Sequence, residues 1–297
     1  MKHYPYFLLH FLLLCLCVVG ADLAAQPDTD IYVMDLEEVD GEWYFRQPLN
    51  ITPRKGYDNQ PSFTPDGRGL LFVSMQGNNQ TDVFRYDFRA GTARRLTETK
   101  QVSEYSPQMM PEGTHFSVVM VEADSVQRLW AYPVEGGSAR LLTKKVDSIG
   151  YYAWLSEKQL ATFRLGEPPH LDVFDVKRQK LRTISPRVGR SIHRVPGTGL
   201  LSYASEGADG TWQIYTWDPL TGETQAVVQT FSGVEDYCWT PQGYLLMGQG
   251  EMLYMYRPGI DEAWMLMGSP GVGPFYRLAM SPDGRKLAVV VYRGEKP

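Results

Sequence analysis

The sequence contains little cysteine. Three cysteines occur in 297 residues, and two of them, Cys15 and Cys17, lie in an apolar segment near the N-terminus. If that segment is removed as a signal peptide, Cys238 is the one thiol left and an intramolecular disulfide is excluded. Cys238 lies between Tyr237 and Trp239, and a single cysteine in an apolar stretch is typical of a small buried hydrophobic residue rather than a nucleophile.

The sequence also lacks an excess of positive charge and a phosphate-binding loop. Its 34 acidic residues outnumber its 29 basic residues, which gives a net charge of −5. Because such a chain has no positive field to attract phosphates, we expect no nucleic-acid partner. Gly271-Val272-Gly273 connects two strand-like units rather than a strand to a helix, so it does not predict a phosphate site.

A short apolar run lies near the start of the chain. A basic N-terminus precedes the run, which covers residues 7–19, and small residues follow it. This order is typical of a secretory signal peptide. We therefore predict that residues 1–25 are removed, with cleavage after Ala21 or Ala25, and that the protein is periplasmic or secreted. An uncleaved anchor is the alternative, but the run is shorter than the ~20 residues of a spanning helix, so no stable membrane span is expected after cleavage.

The rest of the chain, residues 26–297, contains an internal repeat. Its clearest unit, residues 61–97, has a Pro65-Asp66-Gly67 turn, an apolar segment, an aromatic segment and a Leu-Thr ending, which together predict four short strands. Pro-Asp-Gly favours a tight turn because proline fixes φ and glycine accepts positive φ. The position of the turn proline recurs every 40 to 46 residues, at Pro65, Pro111, Ser156, Pro196, Pro241 and Pro282.

An apolar segment follows each of these turns. The segments are nearly continuous in apolar residues instead of alternating, which is typical of strands in a sheet that is covered on both faces. A propeller blade packed between two other blades is such a sheet. The six segments are 70–73, 116–121, 160–163, 200–204, 244–247 and 287–292.

The two ends of the chain complete each other. The sixth unit stops after its second strand, whereas residues 30–35 match a third strand and residues 44–52 match a fourth strand. Joining the ends closes a ring and leaves only short, protected sheet edges. We therefore predict an all-β fold, a six-bladed β-propeller of four-stranded antiparallel blades, in which the N-terminal strands complete the last blade.

Residues 61–97 resemble the repeat of TolB-like propellers, a WD-repeat-like family. The shared features are the Ser/Thr-Pro-Asp-Gly turn, the Asp-x-aromatic third strand and the Leu-Thr ending, and residues 281–288 repeat the first half. The resemblance implies a bacterial, exported six-bladed propeller. TolB itself carries an α/β domain before its propeller, and we expect this chain to have the propeller without that domain. Prolyl-oligopeptidase relatives add a hydrolase domain, but the sequence has no Gly-x-Ser-x-Gly and no peptidase activity is expected.

Three histidines follow the predicted signal peptide. His115 opens a second strand, His170 precedes a third strand and His193 lies in a first strand. Metal ligands must converge in space, whereas these three positions lie at different distances from the propeller axis. Some TolB-like propellers are metal-assisted lyases of pectate fragments, which require clustered histidines. We therefore predict no metal, no cofactor and no catalytic residue.

The starts of the six innermost strands are expected to converge at one mouth of the central channel. Acidic and aromatic residues alternate there, a combination typical of surfaces that bind a peptide or protein. Ordinary solvated loop ends are the alternative for each residue taken singly. The candidates for partner binding are Asp58, Asn59, Glu104, Tyr105, Tyr151, Arg190, His193, Glu235, Asp236, Phe275 and Arg277.

The sequence thus predicts an exported, non-catalytic scaffold that binds a protein or peptide partner at the channel mouth, as a monomer or within an envelope complex. Two alternatives come from other functional classes. A metal-dependent carbohydrate or lactone enzyme would use His193, Glu235 and Asp236 near the axis. A ligand-sensing propeller would bind a sugar or peptide fragment in the channel.

Overall fold

The computed structural model describes residues 26–77 and 79–294, so the predicted signal peptide lies outside the described residues. In this part of the chain, 24 strands form six four-stranded antiparallel sheets, and no helix is present. The strands are β1 (Thr29–Val39), β2 (Glu42–Asn50), β3 (Asp58–Phe63), β4 (Gly69–Met75), β5 (Thr81–Asp87), β6 (Thr92–Arg95), β7 (Ser103–Met109), β8 (His115–Val121), β9 (Gln127–Pro133), β10 (Arg140–Leu141), β11 (Ile149–Ser156), β12 (Gln159–Arg164), β13 (His170–Asp175), β14 (Lys180–Pro186), β15 (Val188–Arg194), β16 (Leu201–Glu206), β17 (Trp212–Trp217), β18 (Thr224–Gln229), β19 (Tyr237–Trp239), β20 (Leu245–Gln249), β21 (Met252–Tyr256), β22 (Met265–Gly268), β23 (Phe275–Met280) and β24 (Lys286–Tyr292).

Each sheet is one blade of a propeller, and blades 1 to 5 take their four strands from consecutive sequence. Blade 1 contains β3–β6, blade 2 β7–β10, blade 3 β11–β14, blade 4 β15–β18 and blade 5 β19–β22. Six clusters of buried apolar side chains hold the ring together, and each cluster joins two neighbouring blades. Because every blade is packed on both faces, the apolar second strands are fully covered, as the sequence predicted.

Blade 6 combines the two ends of the chain. Its strand order is β2-β1-β24-β23, and β1 pairs antiparallel with β24 from Thr29 opposite Tyr292 to Asp35 opposite Lys286. An ion pair between Arg293 and Asp30, with 2.8 Å between Nε and Oδ2, lies at one end of this pairing. The predicted ring closure and the six-bladed fold are both confirmed.

The Leu-Thr endings have a structural role. After the fourth strand, the threonine side chain returns to the third strand and accepts a hydrogen bond from a backbone N–H at the point where the ladder ends. The N–H would otherwise be buried without a partner, which makes such a contact worth ~1 kcal/mol or more. The pairs are Ile31 N to Thr52 Oγ1 at 2.8 Å, Val83 N to Thr97 Oγ1 at 2.9 Å and Leu129 N to Thr143 Oγ1 at 3.0 Å.

Two of the six blade interfaces share a polar contact that the sequence analysis did not detect. In the first, Ser117 Oγ of blade 2 lies 2.8 Å from the Tyr152 hydroxyl and accepts a 2.9 Å hydrogen bond from Trp154 Nε1. The same arrangement recurs between blades 4 and 5, where Ser202 Oγ accepts from the Tyr237 hydroxyl at 3.0 Å and from Trp239 Nε1 at 2.7 Å. These contacts fix the inner strands of blades 3 and 5 against the preceding blades.

Removal of the N-terminal residues up to Thr52 tests the ring closure. The deletion takes β1 and β2 out of blade 6 and leaves the apolar strand β24 as an unpaired edge, which is a template for intermolecular pairing. We expect the shortened chain to aggregate, whereas the chain from residue 26 stays soluble under the same conditions. Size-exclusion chromatography and thermal melting measure the difference. A soluble, monomeric truncation with a cooperative melt would contradict the closure.

Substitution Ser202→Ala tests the polar contact between blades 4 and 5. The change leaves the Tyr237 hydroxyl and the Trp239 N–H buried without their acceptor, so the free energy of unfolding should fall by about 1–3 kcal/mol. Urea unfolding measures this loss. Ser232→Ala at an exposed position is the matched control and should have no effect; equal urea midpoints for the two variants would show that the contact contributes nothing.

Candidate functional site

The inner strands of five blades are irregular near their starts. Their pairing with the second strand shifts register in β3, β7, β11, β15 and β23. Such β-bulges bend a strand and re-aim its side chains. In blades 1 and 2 the shift includes Gln60 at φ +55° and Ser106 at φ +52°. Non-glycine residues in this left-handed region cost energy and occur preferentially at functional sites.

Charged and aromatic side chains from five blades meet at the level of these shifts. Arg277 of blade 6 lies at the centre of the cluster. It donates from Nη1 to Asn59 Oδ1 of blade 1 at 3.0 Å and from Nη2 to the Tyr151 hydroxyl of blade 3 at 3.4 Å. Blades 6 and 3 face each other across the ring of six, so the Arg277 side chain spans the channel. Its guanidinium also lies over the Tyr151 ring, 5.5 Å from the centroid.

Asp236 of blade 5 connects two arginines. It receives hydrogen bonds from Arg190 of blade 4 at 2.7 Å from Nη2 and 3.2 Å from Nε, and its Oδ1 lies 3.5 Å from Arg277 Nε. The adjacent Glu235 accepts a 2.9 Å hydrogen bond from the Arg190 backbone N–H. We call the whole cluster the axial network; its members are Asn59, Tyr151, Arg190, Glu235, Asp236, Tyr276 and Arg277.

The two carboxyl groups of the axial network differ in pKa. Burial alone would raise the pKa of Asp236, but Arg277 and Arg190 outweigh burial and hold it below its ordinary value. Burial raises the pKa of Glu235 above its ordinary value, and the neighbouring Arg190 opposes this only in part. Asp236 is therefore the fixed negative charge of the network, and Glu235 is the more easily protonated group.

Six of the eleven predicted residues belong to the axial network: Asn59, Tyr151, Arg190, Glu235, Asp236 and Arg277. Three others point into the blade stack instead of the channel mouth. Asp58 is fully buried and paired with Arg54, with 2.7 Å between Oδ1 and Nη2. Glu104 is fully buried and accepts a 2.6 Å hydrogen bond from the Tyr132 hydroxyl. Phe275 is 3 % exposed and packs in the apolar cluster between blades 5 and 6.

The remaining two predicted residues lie outside the network. Tyr105 is half-buried against the apolar cluster between blades 2 and 3. His193 packs edge-to-face on Tyr237, with 4.9 Å between ring centroids, and burial lowers its pKa to about 4. It is therefore neutral at physiological pH. The sequence analysis missed Tyr276, whose hydroxyl accepts a hydrogen bond from the Asn59 side-chain amide.

A sequence signal separates the buried candidates from the network. Asp58, Glu104 and Phe275 each lie seven residues before the turn proline of their own blade, and all three are buried. The members of the axial network lie five or six residues before the corresponding turn position. Tyr105 also lies six residues before its turn proline but stands outside the network, so this distance sets apart the three buried candidates without by itself identifying the network.

The channel contains a cavity of about 570 Å³, lined by the inner strands of all six blades. One end of the cavity is at the axial network, where Tyr151, Arg190, Asp236 and Arg277 line it. The other end is at the turns between first and second strands, where Pro196, Pro241 and Pro282 line it. We call these ends of the channel the loop-side mouth and the turn-side mouth.

The metal-dependent alternative requires side chains that converge on one ion. Among residues 26–77 and 79–294, no group of three or more His, Cys, Asp or Glu side chains is placed to hold a metal ion. The Asp236 carboxylate is already bound by two guanidinium groups.

Among residues 26–77 and 79–294, no helix has the length and apolar character needed to cross a membrane.

Comparisons with known proteins give matches only at the level of structure. No family model matches the chain, and no curated protein sequence matches it. A structure described as a TolB from Agrobacterium tumefaciens superposes with a TM-score of 0.68 at 15% identity, covering 91% of this chain and 100% of that chain. TolB from Acinetobacter baumannii gives a TM-score of 0.60 at 14% identity; 90% of this chain is covered, and it spans 65% of the length of that protein.

An enzyme has the same fold. Oligogalacturonate lyase from Vibrio parahaemolyticus superposes with a TM-score of 0.60 at 11% identity, covering 85% of this chain and 84% of the lyase. The chain therefore has a TolB-like six-bladed β-propeller fold. Because both a TolB protein and a lyase have this fold, the fold assigns no activity, and the function has to be argued from the site.

Substitution Asp236→Asn tests the axial network. Removing the charge that Arg190 and Arg277 share should lower the free energy of unfolding at pH 7 by about 3–5 kcal/mol. Because the folded-state pKa of Asp236 is lowered, its stabilising effect is complete above the unfolded pKa of about 3.9 and is lost as the pH falls below it. Urea unfolding at pH 7 and pH 3 should therefore show the difference from wild type shrinking in acid.

The matched control for this prediction is Asp147→Asn at an exposed position. It should leave stability unchanged at both pH values. If Asp236→Asn and Asp147→Asn unfold at the same urea concentration at pH 7, the network does not contribute to stability.

Proposed function

We propose that the protein is an exported, non-catalytic scaffold that binds a protein or peptide partner at the loop-side mouth of its channel. The observation that carries the proposal is the axial network, in which two arginines, two carboxylates and two tyrosines from four blades meet at the channel axis. Tyrosine and arginine are the residues that most often dominate binding energy at protein interfaces.

The network is arranged in advance of binding. The Arg190 and Glu235 side chains, 35% and 22% exposed, are reachable from solvent but are held by each other and by Asp236. Tyr276 stacks on Tyr292 with 4.5 Å between ring centroids. Side chains that are already fixed lose little conformational entropy when a partner binds, so more of the contact energy contributes to affinity.

The reactive groups of the described chain favour binding over catalysis. A nucleophilic cysteine needs a lowered pKa and access to substrate, whereas Cys238 is buried and burial raises its pKa strongly. A general base needs a carboxylate or imidazole that is free to take a proton. Asp236 is committed to two arginines, whereas Glu235, the more easily protonated carboxyl, is held by one 2.9 Å hydrogen bond from the Arg190 backbone N–H and is the residue on which the enzyme alternative would depend.

Export is supported by the N-terminal apolar segment and by the similarity in fold to TolB structures. The basic start, apolar run and small residues of positions 1–25 have the order of a secretory signal peptide. A propeller delivered to the periplasm or beyond would meet envelope or extracellular proteins, which fits the proposed scaffold role.

Substitution Glu235→Gln tests the partner site. The amide keeps the size of the side chain and can accept from the Arg190 backbone, but it removes the exposed negative charge at the mouth. We expect capture of the partner from the exported fraction to fall about tenfold, equivalent to ~1.4 kcal/mol of binding free energy. Quantitative mass spectrometry of the captured proteins measures this.

The control is Glu223→Gln, which makes the same change at the exposed turn between β17 and β18, on the face of the turns between first and second strands. It should retain the wild-type set of partners. Identical partner sets and amounts for wild type, Glu235→Gln and Glu223→Gln would count against binding at the loop-side mouth.

A further inference from the structure

The cavity lies on the side of the axial network away from the loop-side mouth. In each inner strand, the residues that line the cavity begin at or just after the position of the axial network, and no earlier described residue lines it. Its lining continues to Pro196, Pro241 and Pro282, whose turns are exposed at the opposite face. Because the Arg277 side chain crosses the channel, it forms a floor for this cavity, and a ligand would reach it through the turn-side mouth.

The cavity is positively charged although the protein is acidic. Three arginines, Arg190, Arg194 and Arg277, and a single carboxylate, Asp236, are the charged groups among its lining residues. With His193 neutral, the lining carries a formal charge of +2, and Glu235, which pairs with Arg190 at 3.3 Å from behind the lining, reduces the local balance to +1 in a chain whose net charge is −5. An anionic group is therefore favoured in this cavity.

Arg277 has capacity for a further acceptor. Arg190 donates a 2.7 Å hydrogen bond to the Asp236 carboxylate. The contacts of Arg277 are longer: 3.0 Å to Asn59, 3.4 Å to Tyr151 and 3.5 Å to Asp236. A guanidinium has five N–H donors in a planar fork, which matches the two oxygens of a carboxylate. The Tyr151 hydroxyl accepts from Arg277, so its own proton is free to be donated to the same anion.

Two buried polar atoms of lining residues have no hydrogen-bond partner. They are Ser106 Oγ and His193 Nε2. Ser106 is 8% exposed and is held in the left-handed backbone region at φ +52°. Buried polar atoms are nearly always satisfied in folded proteins, and an exception indicates an absent partner or a functional role. Both residues line the cavity, although the two atoms themselves are shielded from solvent.

The rest of the lining is largely apolar. Phe63, Met109, Trp154, Trp239 and Met280 contribute to the wall between the charged floor and the turn-side mouth. A volume of about 570 Å³ lies within the range of small-molecule pockets. The cavity thus combines a charged floor with a largely apolar wall, and Arg194 adds a positive charge near the turn-side mouth. This combination fits a ligand with an anionic group and an apolar body.

We propose that the channel cavity binds an amphiphilic carboxylate, which enters at the turn-side mouth with its carboxylate on Arg277 and its apolar body along the aromatic and methionine wall. A single guanidinium with donor capacity left over, together with a phenol donor, suits a monoanion better than a phosphate, which usually takes several cations or backbone N–H groups. The carboxylate belongs to a free organic acid or to the C-terminus of an apolar peptide. This site lies on the opposite side of Arg277 from the proposed partner surface at the loop-side mouth and shares that residue with it.

Isothermal titration calorimetry on the full mature chain tests the proposal with matched probes. The free-acid arm compares hydrocinnamate with hydrocinnamamide, and the peptide arm compares an N-acetylated Ala-Ala-Phe peptide with its C-terminal amide. Inorganic phosphate is the third probe. We expect at least one of the two carboxylates to bind at least tenfold more tightly than its amide and more tightly than phosphate, and the arm that binds identifies the source.

Two variants locate the binding. Arg277→Lys keeps the positive charge but loses the fork geometry, and Met280→Glu adds a negative charge to the wall; each should weaken the carboxylate about tenfold. Met252→Glu, the same change at an exposed position that does not line the cavity, should leave affinity unchanged. Met280→Glu should also leave capture at the loop-side mouth unchanged, which separates this proposal from the proposed function.

Three results would overturn the proposal. The first is that neither carboxylate binds. The second is that the amides or phosphate bind as tightly as the carboxylates. The third is that Met280→Glu and Met252→Glu bind the carboxylate equally well.

Discussion

The pairing of β1 with β24 is the interaction on which the rest of the structure depends. It joins the two ends of the chain in one sheet, so each blade has a neighbour on both faces. The axial network depends on the same closure, because Asn59 of blade 1 contacts Arg277 and Tyr276 of blade 6 across the interface that the pairing creates. Fold and site therefore have a single origin: without the closed ring, the inner strands do not converge.

Burying the charged groups of the axial network costs desolvation free energy, which bears on why these groups lie at the axis. Removing charges from water is repaid only by good geometry and full hydrogen bonding, and buried ion pairs often add little to stability when compared with an apolar core. Elsewhere the blade interfaces are held by apolar clusters and by contacts such as those of Ser117 and Ser202, although the buried Glu104 carboxylate of blade 2 also accepts a hydrogen bond from Thr97 of blade 1. The concentration of charged groups at the axis, where apolar packing would also close the ring, is what the proposed role in recognition requires.

The sequence predicted the fold in detail and the site in part, and the difference has a local cause. The Pro-Asp-Gly turns, the apolar second strands and the Leu-Thr endings are short-range signals, and each has a direct counterpart in the structure. The β-bulges of the inner strands have no such signal, and a shift of one residue exchanges the side that a side chain faces. For this reason the sequence predicts Phe275 at the channel mouth, whereas the structure places Tyr276 there and buries Phe275. Asp58 and Glu104, also predicted at the mouth, are buried in the same way.

The choice between binding and metal-dependent chemistry depends on Asp236. To ligate a cation, its carboxylate would have to leave Arg190 and Arg277, and the cation would then lie beside two guanidinium groups without their counter-charge. The repulsion and the unpaired buried charge both oppose this exchange. An anion at the turn-side face of Arg277 requires no such loss, because it adds an acceptor to an arginine whose present contacts are long. The electrostatics of the network therefore favour the binding of an anionic group at Arg277 over that of a metal cation at Asp236.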